Sequence, residues 1–343
     1  MPQPFTVIRL EFEHSVHLGS FREETDRSEN ILHSDALYSA IIQAWAVLGE
    51  KHPMLSDTSE ALDYPEGPGF VLSSVFPYYR KSKDSAPVYF FPIPVSGVFS
   101  DDPSINPGLK KISWMDADQL EHWLKTGAMN EKSLYIRGEY GTAKTNLEKD
   151  EHFNNFMVKD VHPRVYVPRM EEADQNSVPY YIERIFFKEY CGMFFLVRFE
   201  NEAARAQLLR ALDYLQVAGI GTDRNVGHGQ FRYEISDFEH FSTLPATNFA
   251  YNLSLFCPES KEQLSEMIGH EKSRHALLKR GGWITSGDNL SIRKNSVYMF
   301  REGCILKTGA EQAGNTVNLR PAILGIGHPI WRVGKSLFLP ISM

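Results

Sequence analysis

The chain has 343 residues, 42% of them hydrophobic, with three cysteines and a formal net charge of −7. The length predicts about two domains, the apolar runs fall short of the ~18 residues of a membrane span, and the cysteines form no C-x-x-C pair of a metal or redox site. The first residues lack the basic and apolar segments of a secretory signal, so a cytoplasmic location is expected.

The charge is unevenly spread along the chain. Residues 271–335 hold eleven Lys and Arg against four Asp and Glu, a net +7, so the remainder carries −14. Residues 11–66 hold twelve acidic and three basic side chains. An acidic body with one basic face is typical of a protein that offers nucleic acid a single surface, and it also fits docking between oppositely charged subunits.

The first predicted elements are a strand over Thr6–Glu13 and a helix that begins at the segment His33-Ser34-Asp35. Ser34 or Asp35 can accept from the first free backbone N–H groups as N-cap, and Gly49 ends the helix. Three further elements are predicted before residue 95: a helix over 51–62, a strand over Phe70–Pro77 that ends at the proline, and an extended segment over Val88–Pro94.

Residues 95–175 show little periodicity apart from a short helix over Asp116–Leu124. So long an irregular stretch is uncommon in a compact domain without a function. We therefore predict an insertion at about 95–175 that projects from the first domain.

Two apolar segments, Tyr180–Phe187 and Met193–Phe199, are predicted to pair as a hairpin. An amphipathic helix over Glu202–Gln216 and a strand over Phe231–Ile235 follow. With the first strand and helix, this order approximates the β-α-β-β-α-β ferredoxin-like unit.

The remaining chain is predicted to form a second domain rich in turns and strands. We place the boundary so that the domains are 1–240 and 241–343, with residues 238–248 as a linker. Its predicted elements are a strand over Phe249–Phe256, a helix over Pro258–His270 and strands over Val297–Phe300 and Lys335–Ile341.

The segment Gly219–Phe231, here called the glycine loop, carries residue types that suit an anion, and phosphate above all. Its candidate contacts are Gly219, Gly221, Thr222, Arg224, Asn225, Gly227, His228 and Gly229. The loop follows a helix, whereas dinucleotide and triphosphate loops precede one. The helix dipole then repels an anion, so backbone N–H groups and Arg224 must hold it. A turn whose glycines serve backbone geometry alone explains the pattern equally well.

Two further basic segments are candidates for nucleic-acid contact. Trp283 can stack on a base while Lys279, Arg280, Arg293 and Lys294 meet phosphates; alternatively Trp283 lies in the core and the cations in solvent. In the second segment, Arg164 and Arg169 flank a short apolar run between prolines, which suits either phosphate contacts or salt bridges to the acidic body.

Three histidines, His14, His17 and His33, fall near the end of the first strand and the start of the first helix. A histidine pair with Lys or Tyr can cleave RNA by activating the 2′-hydroxyl, but a structural or RNA-contacting histidine fits the position of His33 equally well. The chain lacks the H-E-x-x-H and D-x-D-x-D-G motifs, so no metal site is predicted.

Four stretches are distinctive as a set: His33–Ala40; Ser73–Tyr78 with Phe91–Pro94; the glycine loop; and Arg280–Trp283 with Arg293-Lys294, Met299–Gly303 and His328–Gly334. Together they resemble the fourth-subunit family of type III-A (Csm) CRISPR effector complexes, within the RAMP superfamily. The likeness runs from about residue 6 to 342. It departs at Thr222, where the superfamily loop has glycine, and at Pro168-Arg169, where the family often has Asp-Arg.

The resemblance implies an α+β fold of two ferredoxin-like (RRM-like) domains, with a projecting thumb at 95–175 and a glycine-rich loop. It implies binding of the repeat-derived 5′ tag of the CRISPR RNA in antiviral defence, with the large polymerase-nuclease subunit and the repeating backbone subunit as partners. No catalysis, cofactor or membrane contact is implied. The residues expected to bind RNA are His33, Ser34, Arg164, Arg169, Arg280, Trp283, Arg293, Lys294 and the eight candidates of the glycine loop.

Two other functions fit the sequence. One is a metal-independent RAMP-type endoribonuclease that processes precursor CRISPR RNA with His33, His14 or His17. The other is a protein-only adaptor whose glycine loop contacts no RNA.

Overall fold

A computed structural model describes residues 5–19, 26–56, 64, 66–98, 104–143, 147, 150–165, 179–244, 247–284, 292–308, 314–322 and 326–342. Within these ranges the protein has a mixed α+β fold with eighteen strands and five helices.

The elements of the N-terminal half are, in chain order, β1 (Phe5–Phe12), α1 (Ser34–Leu48), β2 (Phe70–Leu72), β3 (Phe76–Tyr79), β4 (Val88–Pro92), α2 (Asn106–Leu109), β5 (Trp114–Asp116), α3 (Ala117–Thr126), β6 (Tyr135–Arg137), β7 (Tyr140–Thr142), β8 (Met157–Val165), β9 (Pro179–Phe187), β10 (Gly192–Phe199), α4 (Glu202–Ala218) and β11 (Phe231–Phe238). Those of the C-terminal half are β12 (Phe249–Asn252), α5 (Lys261–Ile268), β13 (Leu277–Arg280), β14 (Val297–Phe300), β15 (Ile305–Lys307), β16 (Thr316–Asn318), β17 (Trp331–Val333) and β18 (Phe338–Pro340).

Nine of the described strands form one large sheet. Its order is β11-β1-β10-β3-β4-β5-β7-β6, with β2 also paired to β10. β1 pairs antiparallel with β10 and β11, and β10 pairs antiparallel with β2 and β3. The strands β1, β2/β3, β10 and β11, with α1 and α4 between them in the chain, therefore have β-α-β-β-α-β connectivity.

Both faces of this sheet are covered. Successive side chains of a strand point to opposite sides, so neighbouring residues enter different cores. Ile8 of β1 and Phe195 of β10 lie in a core beneath α1 and α4. Val7 and Phe194 lie on the other face, in a core shared with α3 and with Leu339 of the C-terminal half. The two halves of the chain thus share one hydrophobic core.

Residues 104–143 extend the large sheet, so the prediction that 95–175 projects as one insertion is wrong for this part. β4, β5 and β7 are consecutive strands of the sheet, and α3, the short helix expected here, buries Leu120, Trp123 and Leu124 in the shared core. Strands β5, β6 and β7 are three residues each, which is too short to show an alternating pattern.

Strand β8 lies within the predicted insertion and pairs with β9, which lies beyond its expected end at about residue 175. Both strands present large apolar side chains to solvent, among them Val161 and Tyr181. β9 pairs with β8 along its whole length, so the predicted pairing of residues 180–187 with 193–199 is wrong. β10 lies inside the sheet instead, where both of its faces are buried.

Two other predictions for the N-terminal half also differ from the structure. The strand expected to end at Pro77 divides at Ser73-Ser74 into β2 and β3, and Pro77 lies opposite Met193 within β3. In the predicted helix over 51–62, Pro53–Leu55 form a single 3₁₀ turn, and residues 57–63 lie outside the described ranges.

The C-terminal half contains a three-stranded sheet in the order β15-β12-β18 and the two-stranded pairs β13–β14 and β16–β17. The predicted helix over 258–270 begins only at Lys261, because the Ser260 hydroxyl accepts from the Gln263 N–H at 3.1 Å and caps it. Across the described ranges, no helix has the length and apolar composition needed to cross a bilayer.

Candidate nucleic-acid interface

The glycine loop is closed by its own backbone hydrogen bonds. The Ile220 N–H donates to the Gly229 carbonyl at 3.0 Å, and the Gly229 N–H donates to the Ser15 carbonyl at 3.0 Å. The Thr222 N–H donates to the His17 carbonyl at 3.1 Å. Two of these N–H groups are therefore committed to the segment after β1 and the third to the loop itself, so side chains must supply most of the contacts to an anion.

Three of the loop's four glycines are explained by close backbone packing. All four have φ between 76° and 86°, a conformation that costs other residues energy. A Cβ on Gly219 would lie 2.7 Å from the His228 carbonyl oxygen, and a Cβ on Gly221 or Gly229 would collide with other carbonyl oxygens. A Cβ on Gly227 would meet nothing within 4 Å.

A cluster of cationic side chains meets the glycine loop at the β8–β9 hairpin. Asp223, at φ 60°, places its carboxylate 3.5 Å from Arg164 and 3.9 Å from Arg184. His228 Nδ1 is 3.0 Å from the Ser15 hydroxyl, and its Nε2 is 3.5 Å from the Arg164 guanidinium. One carboxylate thus faces two guanidinium groups, which leaves an excess of positive charge.

The charge state of this cluster favours an anionic ligand. Burial, and then the Arg184 and Arg164 charges, lower the pKa of His228, so its ring is neutral at pH 7. Burial and Arg164 also lower the pKa of Arg184. In the described part of the chain, Nε and Nη2 of Arg184 are buried without a hydrogen-bond partner. Buried donors of this kind normally find an acceptor, and a phosphate oxygen would provide one.

The structure brings together several of the residues predicted for this site and adds one. Thr222 and Asn225 are exposed, and Arg224 is half-buried at a 3₁₀ turn. Arg164 reaches the loop, whereas Arg169 lies outside the described residues. Arg184 was missed because the segment 180–187 was paired with the wrong strand; alternation from Arg164 across β8 and β9 would have placed it on the same face.

Arg280, predicted to contact RNA, is instead part of a buried ion cluster between the two halves. Its guanidinium binds both oxygens of Asp35, at 2.8 and 2.9 Å. Arg332 lies 3.2 Å from the same carboxylate and donates to the Gly281 carbonyl at 2.9 Å. Burial opposes ionisation of Asp35, but Arg332 and Arg280 outweigh it and lower the pKa of the carboxyl.

His33 is likewise engaged inside the protein. Its Nδ1 lies 2.9 Å from Glu302 and its Nε2 lies 3.0 Å from Glu29, so both ring nitrogens face carboxylates. Burial disfavours the charged ring, yet Glu302 and Glu29 raise the pKa of His33 to about 9. The imidazolium therefore serves as a double donor within the fold.

Ser34 joins the halves through its hydroxyl, which accepts from the Leu255 N–H at 2.9 Å, while its own N–H donates to the Ser74 hydroxyl at 2.8 Å. The prediction that Ser34 or Asp35 caps α1 is wrong, since the cap position is His33 and no side chain accepts there. The polar groups of His33, Ser34 and Arg280 are therefore engaged within the fold, which leaves them poorly placed to contact RNA.

Trp283 is half-buried, and its ring is covered on one side by Arg293, whose Cζ lies 4.8 Å from the ring centre. The Lys294 N–H donates to the Gly282 carbonyl at 2.8 Å, which joins the two segments. Burial, and then Arg332, lower the pKa of Lys294 to about 8. Lys294 is close enough to the ion cluster to feel its charges. For Trp283, Arg293 and Lys294 the predicted contact with RNA stays a proposal.

Of the three histidines considered for catalysis, only His14 is exposed. His17 is buried, with Nδ1 2.6 Å from the Glu183 carbonyl, and His33 is held by two carboxylates. Within the described ranges, no group of three or more His, Cys, Asp or Glu side chains is placed to hold a metal ion.

Two protein-family models match the chain. The model of the RAMP superfamily matches residues 9–232, and the model described as the CRISPR Csm4 C-terminal domain matches residues 246–341. The first match covers more than half of the 343 residues.

Curated relatives and solved structures agree with these matches. The chain is 26% identical to the CRISPR system Cms protein Csm4 of Thermococcus onnurineus (strain NA1), over 95% of this chain and 94% of that protein. It is 22% identical to the protein of the same description from Methanocaldococcus jannaschii, over 98% and 97%. A chain of the crystal structure of a Csm3-Csm4 subcomplex in the type III-A CRISPR-Cas interference complex superposes with a TM-score of 0.63 at 19% identity, covering 99% of this chain and all of that one. A chain of a Csm1-Csm4 cassette in complex with pppApA gives a TM-score of 0.57 at 18% identity, covering 99% of each. These superpositions show a shared fold.

Proposed function

Because the chain belongs to the RAMP superfamily, we propose that it is a non-catalytic subunit of a type III-A CRISPR effector complex that holds the 5′ tag of the guide RNA. In that complex it bridges the large polymerase-nuclease subunit and the backbone subunit. The match of residues 246–341 to the Csm4 C-terminal domain supports this assignment, as do the solved structures of similar fold, a Csm3-Csm4 subcomplex and a Csm1-Csm4 cassette.

The fold that goes with this function is a pair of ferredoxin-like domains, in which the β8–β9 hairpin is the thumb. The β-α-β-β-α-β connectivity of the first half supports the first domain. In the second half the strand order is β15-β12-β18, and Arg274 is bridged to Ile305 at the edge of this sheet. With α5 following β12 in the chain, this order matches that of the first half.

The observation that carries the proposal is the cationic cluster between the glycine loop and the β8–β9 hairpin. Two guanidinium groups face one carboxylate, and two buried donors of Arg184 have no acceptor among the described residues. A sugar-phosphate chain would supply that acceptor and bring the positive charge into balance. The proposed RNA-facing residues of this site are Arg164, Arg184, Thr222, Arg224, Asn225 and His228.

Loading of guide RNA into the assembled complex tests the proposal. Arg184→Ala and Arg224→Ala should each weaken loading and reduce the slope of log affinity against log salt by about 1, the loss of one phosphate contact. Arg198→Ala, an exposed arginine on β10, is the matched control. Loading and slope equal to the control for both variants would favour the protein-only adaptor.

The endoribonuclease alternative is tested separately, because a catalytic histidine would give cleaved RNA and a structural one would give none. Purified protein is incubated with repeat RNA in the absence of metal. We expect no cleavage, since His17 and His33 are engaged within the fold. A product that ends in a 2′,3′-cyclic phosphate and disappears in His14→Ala would overturn the non-catalytic assignment.

A further inference from the structure

Asp223 brings a carboxylate into the cationic cluster without hydrogen-bonding to it. Its Oδ2 lies 3.5 Å from the Arg164 guanidinium and 3.9 Å from that of Arg184. Within the described ranges, this oxygen is buried without a hydrogen-bond partner, and so are Nε and Nη2 of Arg184. Opposite charges thus lie side by side while the acceptor and both donors stay unused, which is uncommon for buried groups.

The local backbone directs the Asp223 side chain towards the arginines. Its φ of 60° and ψ of 19° lie in the left-handed region, which glycine, asparagine and aspartate tolerate better than other residues. Asp223 also precedes the turn Arg224–Val226, where an aspartate usually accepts from the first N–H groups, yet its side chain makes no such bond. Among the described residues, the carboxylate is therefore held by charge attraction, and no hydrogen bond has to break when it moves.

The carboxylate compensates the two arginines only in part. Burial and the Arg164 charge lower the pKa of Arg184, and the Asp223 charge acts in the opposite direction without outweighing them. A phosphate oxygen that accepts from Nη2 of Arg184 would lie ~2.9 Å from it, which brings a second anion close to Oδ2 of Asp223. Because all three side chains are half-buried, solvent screens the repulsion between the two anions less than it would at an open surface. A phosphate therefore binds here at a loss of affinity unless the carboxylate moves aside.

We propose that Asp223 is a built-in competitor for the phosphate position of the guide RNA, and that it restricts the site to phosphates carried by a longer RNA. A free phosphate gains only the two guanidinium groups, for which the carboxylate already competes. An RNA phosphate is also held by neighbouring contacts along the strand, such as Arg224 of the same loop, so its effective concentration at the site is high. Asp223 thus gives selectivity by weakening the binding of every anion. This inference rests on the proposed function, because it takes the cationic cluster to be an RNA site.

The test measures loading of guide RNA into the assembled complex that carries Asp223→Asn. Asparagine keeps the size of the side chain and tolerates the left-handed backbone, so the variant removes the charge alone. We expect the affinity to rise about fivefold, the upper end of what a single surface ion pair contributes, and the slope of log affinity against log salt to steepen by about 0.7. Asp223→Gly, which also favours this backbone, should give the same gain. The matched control is Asp237→Asn, which removes one negative charge at an exposed position on β11.

Two further measurements connect the gain to the arginines and to small anions. In an Arg184→Ala background, Asp223→Asn should raise the affinity less than it does in the wild type, because one of the two guanidinium groups is gone. Inorganic phosphate, exchanged for chloride at constant ionic strength, should inhibit guide loading at a lower concentration in Asp223→Asn than in the wild type.

The sign of the effect decides the inference. If Asp223 instead positions the arginines for RNA, Asp223→Asn will load guide RNA more weakly than Asp237→Asn, and the inference is overturned. Equal loading of these two variants overturns it as well, and equal inhibition of wild type and Asp223→Asn by phosphate would contradict the role in selectivity. The proposed function fails by a different result, in which Arg184→Ala and Arg224→Ala load guide RNA like the Arg198→Ala control.

Discussion

The buried carboxylate of Asp35 provides a direct test of how the two halves are joined. Asp35 is 0% exposed and lies 2.8 to 3.2 Å from the Arg280 and Arg332 guanidinium groups. Asp35→Asn keeps the shape but removes the charge, which leaves two buried cations without their counter-ion. Removing one partner of a buried ion pair costs ~3–5 kcal/mol, so we expect the free energy of unfolding to fall by about that amount.

Urea denaturation of the full chain at pH 7, followed by circular dichroism and tryptophan fluorescence, measures this loss. Asp237→Asn, an exposed aspartate on β11, controls for removal of one negative charge. The triple variant Asp35→Leu/Arg280→Met/Arg332→Met removes all three charges at once. Since replacing a buried ion triad by apolar side chains is often neutral or stabilising, we expect it to be more stable than Asp35→Asn.

Two results would refute this reasoning. A loss below about 1 kcal/mol, equal to that of Asp237→Asn, would mean that the two guanidinium groups stay hydrated when the carboxylate is removed. A triple variant no more stable than Asp35→Asn would mean that the loss arises from packing, and that the unbalanced charges contribute little.

Two other predictions concern His33 and the glycine loop. The pKa of His33 is raised from 6.5 to about 9, so its stabilising contribution is complete below pH 6.5 and is lost as the pH rises through 9. Over this range the unfolding free energy of the wild type should fall by about 3 kcal/mol more than that of His33→Gln. Parallel pH profiles of the two proteins would contradict the ion pairing. Gly229→Ala should lower the unfolding free energy by about 3 kcal/mol, because the left-handed backbone alone costs ~1–2 kcal/mol and the new Cβ meets the Ile220 carbonyl oxygen. Gly227→Ala, with open space around it, should cost only about 1 kcal/mol, and equal losses in thermal denaturation would argue against the packed loop.

Long periodic elements could be predicted from the sequence, whereas pairing could not. The predicted helices α1 and α4 are confirmed. They could be predicted because apolar positions recur over three or more turns and a glycine follows each helix. The pairing of β9 with β8 was missed because the apolar run 180–187 fits a hairpin with 193–199 equally well. Local pattern describes which face of a strand is apolar, but the partner depends on contacts far away in the chain.

The candidate site, too, could be predicted only in part from the sequence. The glycine loop was located from its composition, because positive φ and close backbone approach require glycine there. The residues His33, Ser34 and Arg280 carry the charges and hydroxyls of an RNA site, but each has a partner more than two hundred residues away in the chain. A polar motif therefore looks the same in sequence whether it binds a ligand or joins two parts of the fold.

The buried ion cluster at Asp35 also has a consequence for the synthesis of the protein. Asp35 and Arg280 are 245 residues apart in the chain, and Arg332 also contacts Ser39, 293 residues before it. At a synthesis rate of ~5–20 residues per second, the ribosome needs roughly 15–60 s to add the second arginine after the aspartate. Until Arg280 is added, the carboxylate lacks both of its arginine partners, and until the C-terminal strands are added, one face of the large sheet lacks part of its cover. The segment that carries Arg332 thus supplies the second cation that pairs with Asp35 of the first helix, and a nascent chain that stops before it leaves the shared hydrophobic core incompletely covered.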